Sequence, residues 1–280
     1  MSVFLNYSQS ELDRQYDQRA WVANAVEVIR RYATASDKAR ALLGEPQSFA
    51  YGPSGAETLD LYRAARTPAP LHVFIHGGAW QRLSKRESAF AAPLFVGAGA
   101  HFAALDFGLV PAVTLSQMAR QVRSAIAWLY RNAQTIGVDR ERIYVSGHSS
   151  GAHLAALVAT CDWGAFDLPP DVVKGALCAS GTYDLKAVRL SSRNDYLQLT
   201  TETEQELSPQ RHLDRLGCKL VVAIGGPETD EFKRQAREFS AAAGVPLITE
   251  PALNHFEIVE TLADANGCLG AAALGQMGLA

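Results

Sequence analysis

Ser149 stands in Gly147-His148-Ser149-Ser150-Gly151, between the β-branched run Ile143-Tyr144-Val145 and the small-residue run Gly151-Ala152-His153-Leu154-Ala155-Ala156. A G-x-S-x-G between a strand and a helix is a nucleophile elbow. The turn is so tight that the serine takes a strained backbone, and glycines two before and two after relieve the crowding. Such a turn lifts a hydroxyl out of a sheet and aims the N-terminus of the next helix at it. The chemistry this permits is nucleophilic attack on a carbonyl, provided that a base and an oxyanion site are supplied elsewhere.

Two further segments could supply them. His76-Gly77-Gly78-Ala79-Trp80 follows the strand-like run Leu71-His72-Val73-Phe74-Ile75. Its glycines allow backbone N–H groups close to a substrate oxygen, so Gly77 and Gly78, with the N–H of Ser150, are the oxyanion-hole candidates. One such donor typically lowers a barrier by about 3–4 kcal/mol. Asn254-His255-Phe256 follows the strand-like Leu247-Ile248-Thr249. In elbow hydrolases the acid and then the histidine follow the serine in chain order. Of the seven histidines, His72, His76, His101 and His148 precede Ser149, His153 sits on the elbow helix, and His212 precedes the best acids. His255 is therefore the expected base.

Two acids follow the strand-like Leu220-Val221-Val222-Ala223-Ile224 and the turn Gly225-Gly226-Pro227. Glu228 lies in the loop at the strand end. Asp230 falls in the first turn of a helix starting near Thr229, where a carboxylate favours the helix dipole without any catalytic role. Glu228 is the expected acid and Asp230 the alternative. Either would hold the imidazole tautomer and stabilise the imidazolium.

The elements that must carry these groups alternate. Residues 9–43 read as helical, and residues 47–65 as two strands around Gly-Pro-Ser-Gly. Strand 71–75 follows, then a helix over 87–97, a strand from His101 to Phe107, and an amphipathic helix over 114–135 with Leu115, Met118, Val122, Ala125 and Leu129 on one stripe. The elbow strand and helix come next, then a strand from Val172 to Ser180. This order predicts an α/β fold with a mostly parallel sheet and helices on both faces. Functional groups would gather at the carboxyl ends of the strands. Residues 182–215 are polar and irregular and break the alternation. They read as a cap-like insertion in a single domain spanning 1–280.

With 48% hydrophobic residues and 20% charged, the chain suits a globular domain with a sizeable core. A net charge of −3 offers no basic footprint for nucleic acid. Cys161, Cys178, Cys218 and Cys268 are too widely spaced for a zinc or redox motif and read as reduced thiols. Neither a signal-peptide pattern nor a run of 18 apolar residues is visible, so a cytoplasmic location without membrane association is expected. A homodimer is compatible with this composition.

Taken together, the motifs resemble the α/β-hydrolase superfamily, and within it the arylformamidase (kynurenine formamidase)-like esterases. The likeness runs from Leu12-Asp13-Arg14-Gln15-Tyr16 through the HGGAW loop and the elbow. It continues through Ser180-Gly181-Thr182-Tyr183-Asp184-Leu185 and Glu231-Phe232-Lys233-Arg234-Gln235 to Asn254-His255-Phe256. In that pattern the acid comes just ahead of the Glu-Phe pair, at Glu228, where the usual residue is Asp. Ser150 stands where such enzymes often carry Ala. The resemblance implies a serine hydrolase that passes a formyl or acetyl group from an aromatic amide or ester through an acyl-enzyme, with no metal or organic cofactor. It implies Trp80 and Tyr183 as aromatic pocket residues. The alternatives are a general short-chain carboxylesterase and a non-catalytic ligand-binding homologue. Presence of the serine, acid and histidine together speaks against the latter.

Overall fold

Eight runs rich in apolar and β-branched residues, most of them bounded by Gly, Pro or polar turns, pair into one sheet. They are β1 (Gln47–Ala50), β2 (Thr58–Tyr62), β3 (Ala69–Ile75), β4 (His101–Leu105), β5 (Val138–His148), β6 (Gly175–Ala179), β7 (Lys219–Gly225) and β8 (Leu247–Glu250). The strand order is β1-β2-β4-β3-β5-β6-β7-β8. The β1/β2 and β2/β4 pairs are antiparallel and all others parallel. The structure, a computed structural model, describes residues 2–280.

Because β3 is buried along its whole length, its side chains serve two cores. Leu71, Val73 and Ile75 point into one, and Phe74 into the other. The first core is closed by α4 (Leu115–Ile136), α5 (Ser150–Ala159) and α9 (Asp230–Ala243). The second is closed by α2 (Ala25–Leu43), α3 (Ala92–Gly97) and α10 (Cys268–Met277). This is the α/β-hydrolase arrangement expected from the alternation of elements. The α10 sequence is almost all Gly, Ala and Leu, so no periodic stripe marks it beforehand. Among the described residues, no helix is long and apolar enough to cross a membrane.

The expected helix over 9–43 is two helices. Helix α1 (Gln9–Tyr16) ends at Asp17, and α2 resumes at Ala25. The last carbonyls of α1 are captured by side chains from elsewhere. Trp21 Nε1 donates to the Arg14 carbonyl at 2.8 Å, Thr229 Oγ1 to that of Gln15 at 2.9 Å, and Arg193 to that of Tyr16. The break turns residues 17–19 toward the catalytic edge of the sheet. The insertion after β6 carries three short helices, α6 (Lys186–Leu190), α7 (Asn194–Leu197) and α8 (Thr201–Glu206), followed by a 3₁₀ segment over Pro209–Arg215.

Candidate active site

Strand β5 ends at His148, and α5 starts at Ser150, leaving a single residue for the turn. Ser149 accordingly sits at φ 57° and ψ −122°, a left-handed conformation that an L side chain rarely adopts. Close approach explains the flanking glycines: a Cβ on Gly147 would lie 2.1 Å from the Gly151 carbonyl oxygen, and one on Gly151 would lie 2.1 Å from that of Ile75. The Ser149 N–H donates to the Ala179 carbonyl at 2.9 Å, which locks the turn to β6.

The Ser149 hydroxyl lies 3.0 Å from Nε2 of His255, and His255 Nδ1 lies 2.7 Å from Oε2 of Glu228. The other carboxylate oxygen of Glu228 accepts from the Ser180 hydroxyl at 2.5 Å and from the Gly225 N–H at 2.8 Å. Glu228 is thereby held as an acceptor, so its partner nitrogen Nδ1 carries the proton and Nε2 is left to accept from Ser149. Asp230, the alternative acid, does not approach His255. It sits in the first turn of α9 with its side chain 77% exposed and pairs with Lys233 at 3.2 Å. The single residue between the carboxylates, Thr229, is the N-cap at the change from loop to helix, and that change points them in opposite directions.

Three rings pack His255: Phe232 edge-on at 5.0 Å, Phe256 edge-on at 5.1 Å and His148 tilted at 4.9 Å. His148, the variable residue of the elbow motif, also donates from Nε2 to the His255 carbonyl at 2.7 Å. Burial first, and then the neighbouring His255, depress the His148 pKa to about 3, so it stays neutral. It tethers the base's backbone to the elbow. The loop is tied again by Asn254, whose Oδ1 accepts from the N–H groups of Phe256 and Glu257 at 2.9 and 3.2 Å.

The Gly77-Gly78 loop leaves β3 beside the elbow, and Gly78 adopts φ +102°. The Ser150 hydroxyl accepts from the Trp80 N–H at 3.2 Å, tying this loop to the start of α5. The Ser150 side chain therefore acts as a clamp, and its N–H lies in the first turn of α5, next to Ser149. Gly77, Gly78 and Ser150 are thus brought to one place around Ser149. Among the described residues, no group of three His, Cys, Asp or Glu side chains has the spacing to hold a metal ion.

Of the two expected pocket residues, Tyr183 is elsewhere, and Trp80 lines only the smaller of the two spaces at Ser149. Tyr183 is wholly buried, stacked on Phe239 at 4.1 Å, and its hydroxyl donates to the Cys178 carbonyl at 3.2 Å. It is a core residue because the chain turns inward after β6 before the insertion begins. Trp80 is only 3% exposed, and its indole N–H donates to His153 Nδ1 at 3.3 Å while His153 Nε2 donates to the Leu207 carbonyl at 2.7 Å. It backs a nook beside Ser149 and does not line the entrance. The aromatics that face the main cavity are Tyr16, Tyr32, Tyr196 and Phe256, around a volume of about 500 Å³. None of their roles was marked by local pattern, although Tyr16 closes the Leu12–Tyr16 stretch and Phe256 adjoins His255.

Residues 59–172 match the BD-FAE family model. The chain is 34% identical to a kynurenine formamidase of Danio rerio, covering 95% of each chain, and 32% identical to one of Salmo salar, covering 99% of each. It belongs to the kynurenine formamidase family. Among solved structures, a candidate thioesterase of a Silicibacter strain superposes with a TM-score of 0.84 at 26% identity, covering 94% of this chain and 98% of that one. The thermophilic carboxylesterase EstE1 superposes at 0.73 with 17% identity over 91% of this chain and 97% of its own, a likeness of fold. Within the kynurenine formamidase family, this protein is a hydrolase of the arylformamidase–esterase type.

Proposed function

We propose that the protein hydrolyses N-formyl aryl amines, with Ser149 as nucleophile, His255 as base and Glu228 as its acid partner. The observation that carries this reading is the inequality of the two spaces at Ser149. On one side is the 500 Å³ cavity with its tyrosines; on the other is a nook of about 10 Å³ bounded by Tyr16, Trp80, Ser150, Thr182 and Phe232. Such a nook admits roughly one water-sized group. A formyl hydrogen fits it, a methyl group fills it, and a long acyl chain has nowhere to go. The large side suits an aromatic leaving group.

In this mechanism His255 Nε2 takes the Ser149 proton as Oγ bonds to the formyl carbon. The N–H groups of Gly77, Gly78 and Ser150 stabilise the oxyanion. The imidazolium then returns its proton to the departing aryl nitrogen as the C–N bond breaks, leaving formyl-Ser149 and a free arylamine. Water, deprotonated by His255, attacks the formyl ester and releases formate. Short aryl esters fit the same relay and the same nook, which makes acetyl esters the second expected substrate class.

The test is a panel of N-formylkynurenine and p-nitrophenyl esters of rising chain length. The expected order in kcat/KM is N-formylkynurenine, then acetate, with octanoate at least about tenfold below acetate, because each unburied CH₂ forgoes about 0.8 kcal/mol and the nook resists its entry. A steady rise from acetate to octanoate, or no turnover of the formamide, contradicts the reading.

A further inference from the structure

Arg193 borders both the main cavity and the nook beside Ser149. Its guanidinium is fixed in place. Nη1 donates to the Tyr196 hydroxyl at 3.1 Å, Nη2 donates to the Tyr16 carbonyl, and the Tyr16 and Trp80 rings lie 5.7 and 5.9 Å from Cζ. Its Nε–H is buried and has no acceptor. Among the described residues, no carboxylate lies within ion-pair distance of it. Arg189, Arg211 and Arg234, which are each about a quarter exposed or less, all meet carboxylates at 2.5–2.9 Å.

Arginine cannot shed its charge, and a guanidinium removed from water without a counter-ion is costly. Here both of its fixed partners are neutral oxygens. A rigid cation with an unused donor, set at the edge of a substrate cavity, is half of an ion pair whose other half comes with the ligand. Arg19 and Arg82, exposed at the mouth of the same cavity, also lack a carboxylate within ion-pair distance among the described residues, and three arginines face two acids, Asp13 and Asp17, in that lining. Asp13, the nearest acid on α1 in that lining, is engaged by the Ser192 N–H at 2.6 Å and by Gln9.

We infer that Arg193 is a specificity-determining residue that receives a carboxylate on the leaving-group portion of the substrate, so that the site selects aryl formamides bearing a carboxylate over those that lack it. The leaving-group side is assigned because the nook on the acyl side has no room for a carboxylate. The planar fork of arginine suits bidentate pairing with that group. This inference rests on the formamidase reading above.

The experiment compares N-formylkynurenine with N-formylkynurenamine, which lacks the carboxylate, in the wild type, Arg193→Met and Arg193→Lys. The readout is the ratio of kcat/KM for the carboxylate-bearing substrate to that for the decarboxylated one, both of which keep the ammonium group; this ratio is insensitive to a general loss of activity. The wild-type ratio is expected to exceed about 10. Arg193→Met should lower it about 10- to 100-fold, mainly through KM, as loss of a charge-assisted hydrogen bond predicts. Arg193→Lys should fall between, keeping the charge without the fork. An unchanged ratio in Arg193→Met, or a wild type with no preference, overturns the inference. A second arm measures inhibition of p-nitrophenyl acetate hydrolysis by kynurenine and by kynurenamine. If neither formamide turns over, the formamidase reading fails. The inhibitor ratio then decides on Arg193 independently: a ratio that falls in the variants supports it, and one that persists overturns it.

Discussion

The inner wall of the catalytic pocket consists of strand ends and the loops that leave them. Its outer wall consists of α1, the break after it, and the insertion that follows β6. On the inner wall Glu228, His255, Ser149 and Ser180 form one continuous line of hydrogen bonds, packed by Phe232 and His148. On the outer wall the groups are longer and wetter, with Asp17 and Arg19 exposed. The outer wall is nevertheless anchored. Glu231 is wholly buried, pairs with Arg234 at 2.7 Å and accepts from the Tyr16 hydroxyl at 3.2 Å, while its N–H donates to Gln15 Oε1 at 3.1 Å. Burial first, and then Glu231, push the Tyr16 phenol well above its ordinary range, so it remains a donor. The difference teaches that the wall proposed for reaction is a dry, continuous hydrogen-bonded line, whereas the wall proposed for selection is wetter and held from behind. The residue joining them, Glu231, is three positions from the proposed acid.

The largest expected effect comes from removing the nucleophile. Ser149→Ala should lower turnover by about five to six orders of magnitude and abolish fluorophosphonate labelling, with the circular dichroism spectrum unchanged. Unchanged turnover by a folded variant would place the chemistry elsewhere. Next comes the contrast between two carboxylates close in sequence. Glu228→Gln should lower kcat by about three to four orders of magnitude, as loss of the triad acid does elsewhere. Asp230→Asn should stay within about twofold, since it gives up only an exposed pair with Lys233. The reverse ranking in folded variants would move the acid to Asp230.

A smaller effect probes the join between the walls. Glu231→Ala should destabilise the fold by about 2 kcal/mol, less than the roughly 3–5 kcal/mol typical of breaking a buried pair, because Arg234 keeps Glu238. It should also raise KM more than it lowers kcat, because α1 loosens while the inner wall stays. Denaturant melts and steady-state kinetics check both halves, and a kcat loss exceeding the KM change would erase the distinction between walls.

The smallest effect concerns dryness. Burial lowers the pKa of His72 and His148 to about 3 and of His153 to about 4. The folded form holds them neutral, whereas the unfolded chain takes up protons below about pH 6.5. Their contribution to stability is therefore complete above pH 6.5 and is lost as the pH falls toward 4 and 3. The melting temperature should drop through that window. His72→Gln should flatten the drop by about 1 kcal/mol by roughly pH 5.8, since one buried imidazole accounts for at most about 1.4 kcal/mol per pH unit below its unfolded value. An equal slope in wild type and variant would mean that His72 is not held neutral.

The contrast between walls is also a contrast in legibility. The elbow, the HGGAW loop and the order of serine, acid and histidine could be read from the chain because each depends on local backbone demands: a one-residue turn, a close glycine approach, a strand end. Glu228 could be ranked above Asp230 because helix position is itself a local property. By the same route, the alternation of strands and helices announced the sheet. The break at Asp17 was not legible, because helical periodicity continues through it while donors from Trp21, Thr229 and Arg193 take the carbonyls that would extend α1. Nor was the exchange of aromatics. Tyr183 looks like a pocket residue but lies in the core, and Trp80 lines the small nook and not the entrance, because which side of a loop faces solvent depends on what packs over it.

Taken alone, then, the sequence picked out the hydroxyl, the imidazole and the carboxylate that the fold joins by hydrogen bonds, and the sheet edge that collects them. Steric and hydrogen-bonding rules acting over a few residues suffice for that. Tertiary structure alone decided the selection. Tyr16, Arg193 and Tyr196 come from segments about 180 residues apart, and they meet only because Glu231, Thr229 and the insertion after β6 dock α1 onto the face of the molecule that the strand ends had already made reactive.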